Sequence, residues 1–190
     1  MRFVMTHLEF HEIGTVDDFV WPEEVTGISI ESPAMLFFTD FEKVKPLVVD
    51  LSTRADLARS LMLREHVKLK LVVDSDDKFL GVVSLDDISE QHITAKLSKT
   101  ITRDSITVAD LMVPKREIKG LDFSEVESVD IGTVVHHLKD IGQQHCLVLD
   151  KSLNKIRGIF SASDISRKLG LPINVQDHSN FYRVFSALTS

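Results

Sequence analysis

The sequence predicts an α+β fold built from two copies of one βαββα unit. Three observations carry this. The stretch GVVSLDDI at 81–88 returns as GIFSASDI at 158–165, with glycine, serine, the second aspartate and isoleucine in register. Each stretch closes a longer passage of apolar strand, polar turn and apolar strand: LKLVVDSDDKFLGVVSLDDI at 69–88 and HCLVLDKSLNKIRGIFSASDI at 145–165. Two short apolar runs joined by a polar turn form a β-hairpin. A segment of helical periodicity precedes each hairpin, and a fixed internal period of this kind marks a repeated supersecondary unit.

The elements follow in order. PLVVD at 46–50 reads as a strand, and its counterpart in the second copy is expected in the weaker SEVESVD at 124–130. In STRADLARSLMLREH, Ala55, Leu57, Ala58, Leu61 and Met62 fall at helical spacing, with Ser52 or Thr53 able to cap the first turn. In SVDIGTVVHHLKDIG, Ile131, Val134, Val135, Leu138 and Ile141 repeat the pattern, with Asp130 as cap and Gly142 as stop. A second helix is expected after each hairpin, from Leu85 and from Ala162. Residues 89–112 read as a helix, a short connection and a lead-in ending in ADLMVP; SPAMLFF at 32–38 is the matching lead-in to the first copy. Phe181, Val184, Phe185 and Leu188 share one face of a C-terminal helix. The divisions predicted are an extension at 1–31, units at 32–98 and 99–172, and a C-terminal helix within 173–190.

Composition narrows the function. The chain has 190 residues, 43% hydrophobic and 27% charged, as in ordinary globular domains. A net charge of −7 repels phosphate backbones, so no nucleic-acid partner is expected. The single cysteine, Cys146, excludes an internal disulfide and a cysteine-rich zinc site, and its apolar neighbours predict an inert thiol. His7 and Glu9 interrupt what a signal peptide would keep apolar, and no run is long enough to span a membrane. A cytoplasmic protein is expected.

Other side chains compete for a role. His7 and His11, with Glu12, have a helical metal spacing, but RFVM alternates as a strand does, so no metal site is expected. Asp86–Asp87 and the adjacent His136–His137 are the remaining material for catalysis; both read as surface helix residues, and no enzyme is expected. Ser84 with Asp87, and Ser161 with Asp164, have the spacing of a capping box, which helix initiation alone would explain.

The paired hairpins, the helices before them and VADLMVP together resemble a tandem pair of CBS domains, over about residues 33–170. The chain departs from that family at Leu71 and Leu147, where proline is frequent, and at His66, where glycine is frequent; Gly142 keeps it in the second copy. The resemblance implies two units packed about a pseudo-twofold axis with two clefts between them. It also implies a regulatory module binding an adenosine-containing ligand: AMP, ADP, ATP or S-adenosylmethionine. The family's signature then falls on Gly81, Ser84 and Asp87 and on Gly158, Ser161 and Asp164. The glycine permits close approach of a ligand or a strand. The serine stands where a strand turns into a helix and free N–H groups favour a phosphate, and the aspartate accepts hydrogen bonds from a ribose diol. Lys68 and Lys70 flank the first hairpin, opposite Gln144 and Cys146 in the second, so Asp87 is expected to serve ATP more than Asp164 does. A homodimer and a separate effector protein complete the expectation. The alternative is a scaffold with empty clefts that contacts a partner protein.

Overall fold

The structure, a computed structural model, describes residues 27–171 and 180–189. His7, His11, Glu12 and most of the 1–31 extension lie outside the described residues, as do 173–179. The first unit runs β2 (Val48–Asp50), α1 (Ala55–Arg64), β3 (Leu69–Val73), β4 (Phe79–Ser84) and α2 (Glu90–Ala95); β1 (Thr39–Asp40) precedes it and β5 (Val113–Pro114) follows it. The second runs β6 (Gly120–Asp122), a short α3 (Phe123–Val126), α4 (Ile131–Leu138), β7 (His145–Asp150), β8 (Lys155–Ser161) and α5 (Ala162–Lys168), with α6 (Phe181–Leu188) behind it. Both units are therefore βαββα.

The two sheets are β2-β3-β4-β5 and β1-β8-β7-β6. In each, the first strand runs parallel to the second and the hairpin is antiparallel. The fourth strand is exchanged. β5, which leads into the second unit, closes the first sheet, and β1, which leads into the first unit, closes the second. The lead-in cores are exchanged with them. Ile106 and Val108 pack among Val49, Ala58, Met62, Val72 and Val83, while Ala34 and Phe37 pack among Ile131, Val135, Val148 and Phe160. Matching backbone bonds fix both exchanges: Ala55 N–H donates to Ile106 and Val108 N–H to Thr53 in one, Ile131 N–H to Ser32 and Ala34 N–H to Val129 in the other.

This exchange explains the repeated glycine. Gly81 pairs with Pro114 and Gly158 with Asp40. A Cβ on Gly81 would stand 2.3 Å from the Val113 carbonyl oxygen, and one on Gly158 2.3 Å from that of Thr39. The close approach is to a neighbouring strand. A bulge just before each glycine, between Val72 and Val73 and between Val148 and Leu149, is also repeated.

Several local expectations are corrected. The strand before α4 is Gly120–Asp122; residues 123–126 are helical, with Asp122 accepting from Ser124 N–H. Neither Ser52 nor Thr53 caps α1: Arg54 holds the N-cap position, and Ser52 is drawn onto Asp50 at 2.5 Å. After β4 the chain makes a turn, and α2 starts at Glu90 with Ser89 as its cap, not at Leu85. Asp130 does cap α4 by accepting from Thr133 N–H, and Gly142 ends it at φ 66°. His66 occupies the same left-handed conformation, at φ 55°, after α1. The C-terminal stripe covers its own unit: Phe181 and Val184 are buried in the second core, with Phe185 and Leu188 packed against it.

Candidate functional site

Two clefts lie between the units, lined by corresponding residues of opposite copies. The larger, about 550 Å³, takes Ser161, Asp164 and Arg167 from the end of β8 and α5, and Lys68 from just before β3. The segment joining β1 to β2 adds Phe41, Lys45 and Leu47. The smaller, about 270 Å³, takes Ser84 from the end of β4 and Asp87 from the turn after it, with Gln143 and Gln144 from just before β7 and Lys119 from the β5–β6 connection. Leu69 and His145, which occupy matching places in the two hairpins, line both.

The two Ser-x-x-Asp motifs differ in chemistry. In the first, Asp87 Oδ2 accepts from Ser84 N–H at 2.7 Å and from Ser84 Oγ at 2.6 Å, and Asp87 N–H donates to Ser84 Oγ at 3.2 Å. That is a reciprocal capping box, and it closes the turn before α2. In the second, α5 follows β8 directly at Ala162, so serine and aspartate do not meet. Ser161 Oγ lies 2.9 Å from Ser163 Oγ, and Asp164 accepts from Arg167 Nη2 one helical turn on. Asp164 thus faces a cleft with an exposed cation as partner, while Asp87 is tied to the backbone and hydroxyl of Ser84.

The lysines separate as well. Lys68 lines the larger cleft with Asp164, not the cleft of Asp87. The clefts form between copies, so a residue that flanks the first hairpin faces the second motif. Strand alternation puts Lys70 on the other face from Leu69 and Leu71, where its Nζ pairs with Glu65 at 2.7 Å and its side chain is 12% exposed. The basic groups expected beside Asp87 are absent from that cleft among the described residues, apart from Lys119. Gly81 and Gly158 are engaged by β5 and β1.

Sequence reasoning missed three features. His145 stands in the wall shared by the clefts; burial pushes its imidazole down to about 4, against the opposing pull of Asp164 and with a smaller contribution from Lys68. Gln144 Nε2 donates to Asp86 Oδ2 at 2.9 Å, joining the two units across the smaller cleft. Asp40 anchors β1 through Arg157. Each depends on which elements meet across the copies, and no local spacing signals it. Cys146 is buried, and burial raises its thiol to about 11, as its apolar neighbours predict. Among the described residues no cluster of three or more His, Cys, Asp or Glu side chains could hold a metal, and no helix is long and apolar enough to cross a membrane.

The CBS domain family model matches residues 40–92, from β1 into α2. Among solved structures, an uncharacterized conserved protein from Pyrococcus horikoshii is 23% identical over 78% of this chain and 99% of that one, with a TM-score of 0.57. CBSX2 in complex with AMP is 24% identical over 72% and 94%, with a TM-score of 0.51; CBSX2 is a CBS-pair protein from Arabidopsis thaliana. The CBS domain pair of protein MJ0100, in complex with 5′-methylthioadenosine and S-adenosyl-L-methionine, is 15% identical over 72% and 98%, with a TM-score of 0.51. No curated protein matches the sequence. The likeness at these identities is one of fold: two βαββα units joined as a CBS pair.

Proposed function

We propose that this tandem CBS domain protein is a regulatory, non-enzymatic module whose larger cleft binds an adenosine-containing ligand. One observation carries the reading: a cleft of about 550 Å³ brings Ser161 and Asp164, at a strand-to-helix turn, into one wall with Lys68 from the other unit. Asp164 takes the ribose hydroxyls once Arg167 swings away, and the freed guanidinium joins Lys68 and Lys45 in meeting phosphate. The excess of cations there favours AMP, ADP or ATP over S-adenosylmethionine. Structures of the same fold holding AMP, or 5′-methylthioadenosine and S-adenosyl-L-methionine, support the ligand class.

Ser84 and Asp87 line the smaller cleft and hold no ligand in the wild-type chain. Their reciprocal bonds favour the empty-scaffold alternative for the smaller cleft. The units are taken as 32–98 and 99–172, each borrowing the other's lead-in strand. The module works in the cytoplasm, pairs with a second copy and reports to a separate effector protein. Leu57 and Leu63, 50% and 49% exposed on α1, offer the apolar surface for that pairing.

Calorimetry with AMP, ATP and S-adenosylmethionine tests the reading. Asp164→Ala should weaken nucleotide binding at least tenfold, because a hydrogen bond to a charged group is worth about 1.5–3 kcal/mol. Asp87→Ala should leave the main site intact, the reverse of the order the sequence suggests. Wild-type protein that binds none of the three leaves the scaffold as the function. Sedimentation velocity tests the pairing; a monomer at high micromolar concentration overturns it.

A further inference from the structure

We propose that the smaller cleft is latched shut by Gln144 and Asp86, so that each chain takes one ligand and not two. The proposal rests on the reading of the larger cleft as the ligand site.

The fold supplies an internal control, because the hairpin residues that line the two clefts correspond in register. Register pairs Leu69 with Ser84 and His145 with Ser161, so Gln144 occupies the place of Lys68, and Asp86 that of Ser163. Around the smaller cleft, Gln144 Nε2 reaches from just before β7 to Asp86 Oδ2, 2.9 Å away in the other unit. Around the larger cleft the counterpart of Asp86 turns back: Ser163 Oγ pairs with Ser161 Oγ on its own side. Among the described residues, these matching positions are bonded to each other across the smaller cleft and not across the larger, and the smaller has about half the volume, about 270 against 550 Å³.

Two further contacts stiffen the latch. His92 Nδ1 lies 2.8 Å from the Asp86 carbonyl oxygen, so α2 fixes the backbone that carries the carboxylate. Ser84 and Asp87 bind each other one residue further on. A ligand entering this cleft must break the Gln144–Asp86 bond and draw Asp87 off its capping partners, and it regains only part of what those bonds contributed. The sequence encodes the difference in two substitutions between copies, lysine to glutamine and serine to aspartate. Either reversed alone removes the latch.

The test uses the full chain, with AMP as probe. Native mass spectrometry and calorimetry should count one AMP per chain in the wild type. Gln144→Ala and Asp86→Ser should each admit a second AMP, with affinity at that cleft raised about tenfold, the worth of one charge-assisted hydrogen bond. Two equivalent AMP per chain in the wild type, or one per chain in both variants, overturns the latch.

A second measurement is independent of ligand. Val82 lines the smaller cleft, so Val82→Cys reports its openness to a thiol reagent, with buried Cys146 as the slow internal reference. Labelling should be about tenfold faster when Gln144→Ala is added. Equal rates in the two backgrounds overturn the latch. If no protein binds AMP but labelling still responds to Gln144→Ala, the latch stands and the functional reading fails.

Discussion

Removing the Asp40 carboxylate should detach the exchanged strand β1 from the second sheet. Asp40 is 5% exposed, and its two oxygens accept from Arg157 Nε at 2.9 Å and Nη2 at 3.2 Å. The same guanidinium reaches Glu42 at 2.8 Å and lies 4.3 Å from the Phe123 ring centroid. Arg157 belongs to β8 and Asp40 ends β1, so the pair pins the segment that carries Phe41 and Lys45 into the larger cleft. Breaking a buried pair by deleting one partner costs about 3–5 kcal/mol, because the other charge is left stranded. An independent route gives a smaller figure. The hydrogen bond from Arg157 is the main reason the Asp40 carboxyl falls from 3.8 to about 2, against the opposing effect of burial. A fall of that size corresponds to about 2 kcal/mol. Asp40→Asn should therefore cost about 2–5 kcal/mol in urea unfolding. The lowered pKa also sets the acid limb: this stabilisation is complete above about pH 4 and is lost as pH falls through about 2. Asp40→Asn should remove that limb. In the first unit the corresponding places hold Leu80 and Pro114, so the strand exchange itself does not need charge. The double variant Asp40→Leu, Arg157→Leu should accordingly recover most of the loss. A cost below about 0.5 kcal/mol with an unchanged acid limb refutes the reasoning, given that a buried pair is expected to cost several times more.

The glycines give a second expectation: Gly158→Ala and Gly81→Ala should each destabilise by about 2 kcal/mol or more, because the new methyl meets a backbone oxygen that cannot yield. Amide exchange should show the loss at β1 for Gly158→Ala and at β5 for Gly81→Ala; uniform loss would contradict the exchange. His145 should make the fold acid-sensitive in a different window. Its folded value of about 4 lies below the ordinary 6.5, so the unfolded chain binds the extra proton and stability declines as pH drops from about 6.5 to 4. His145→Leu, the residue its counterpart Leu69 already uses, should flatten that slope; an unchanged slope counts against the assignment. Cys146 should label with a thiol reagent only on unfolding, and prompt labelling of the native wild-type protein would show its burial to be wrong.

The repeat was legible because identical local demands leave identical residues. Gly81 and Gly158 recur since the same exchanged strand crosses each, and Val83 and Phe160, or Ile88 and Ile165, recur since each fills a core. The exchange of β1 and β5 was not legible. SPAMLFF and ADLMVP read correctly as lead-ins, but a strand pattern states which face is buried and not which sheet it joins. The misplaced lysine has the same origin: Lys68 is adjacent to the first hairpin in sequence and to Asp164 in space. The divergence of the two motifs lies beyond their shared letters. Ser84 and Asp87 form a closed turn because Ser89 restarts the helix and caps it through His92 N–H. Its counterpart in the second copy, Ser166, lies buried within a helix already running from Ala162.

The exchange also sets the route by which a ligand can act. A ligand changes a protein only through unequal affinity for two states, so the larger cleft must contain an element whose position differs between them. The segment between β1 and β2 fits that requirement by connectivity. Its first end is fixed to the second sheet through Asp40 and Arg157, its other end enters the first sheet at Val48, and Phe41, Lys45 and Leu47 line the cleft between. On the proposed reading, a ligand held by Asp164 on α5 and by this segment touches both sheets at once, and its phosphate adds Lys68 of the first unit. Any relative movement of the sheets therefore changes the ligand's contacts, and by reciprocity the ligand biases the sheets. The smaller cleft has the corresponding connection, from β5 to β6 through Lys119, but there Gln144 and Asp86 already join the units. On the proposed reading the larger cleft senses ligand while the Gln144–Asp86 bond holds the smaller one closed, a difference that follows from two side-chain changes on a duplicated backbone.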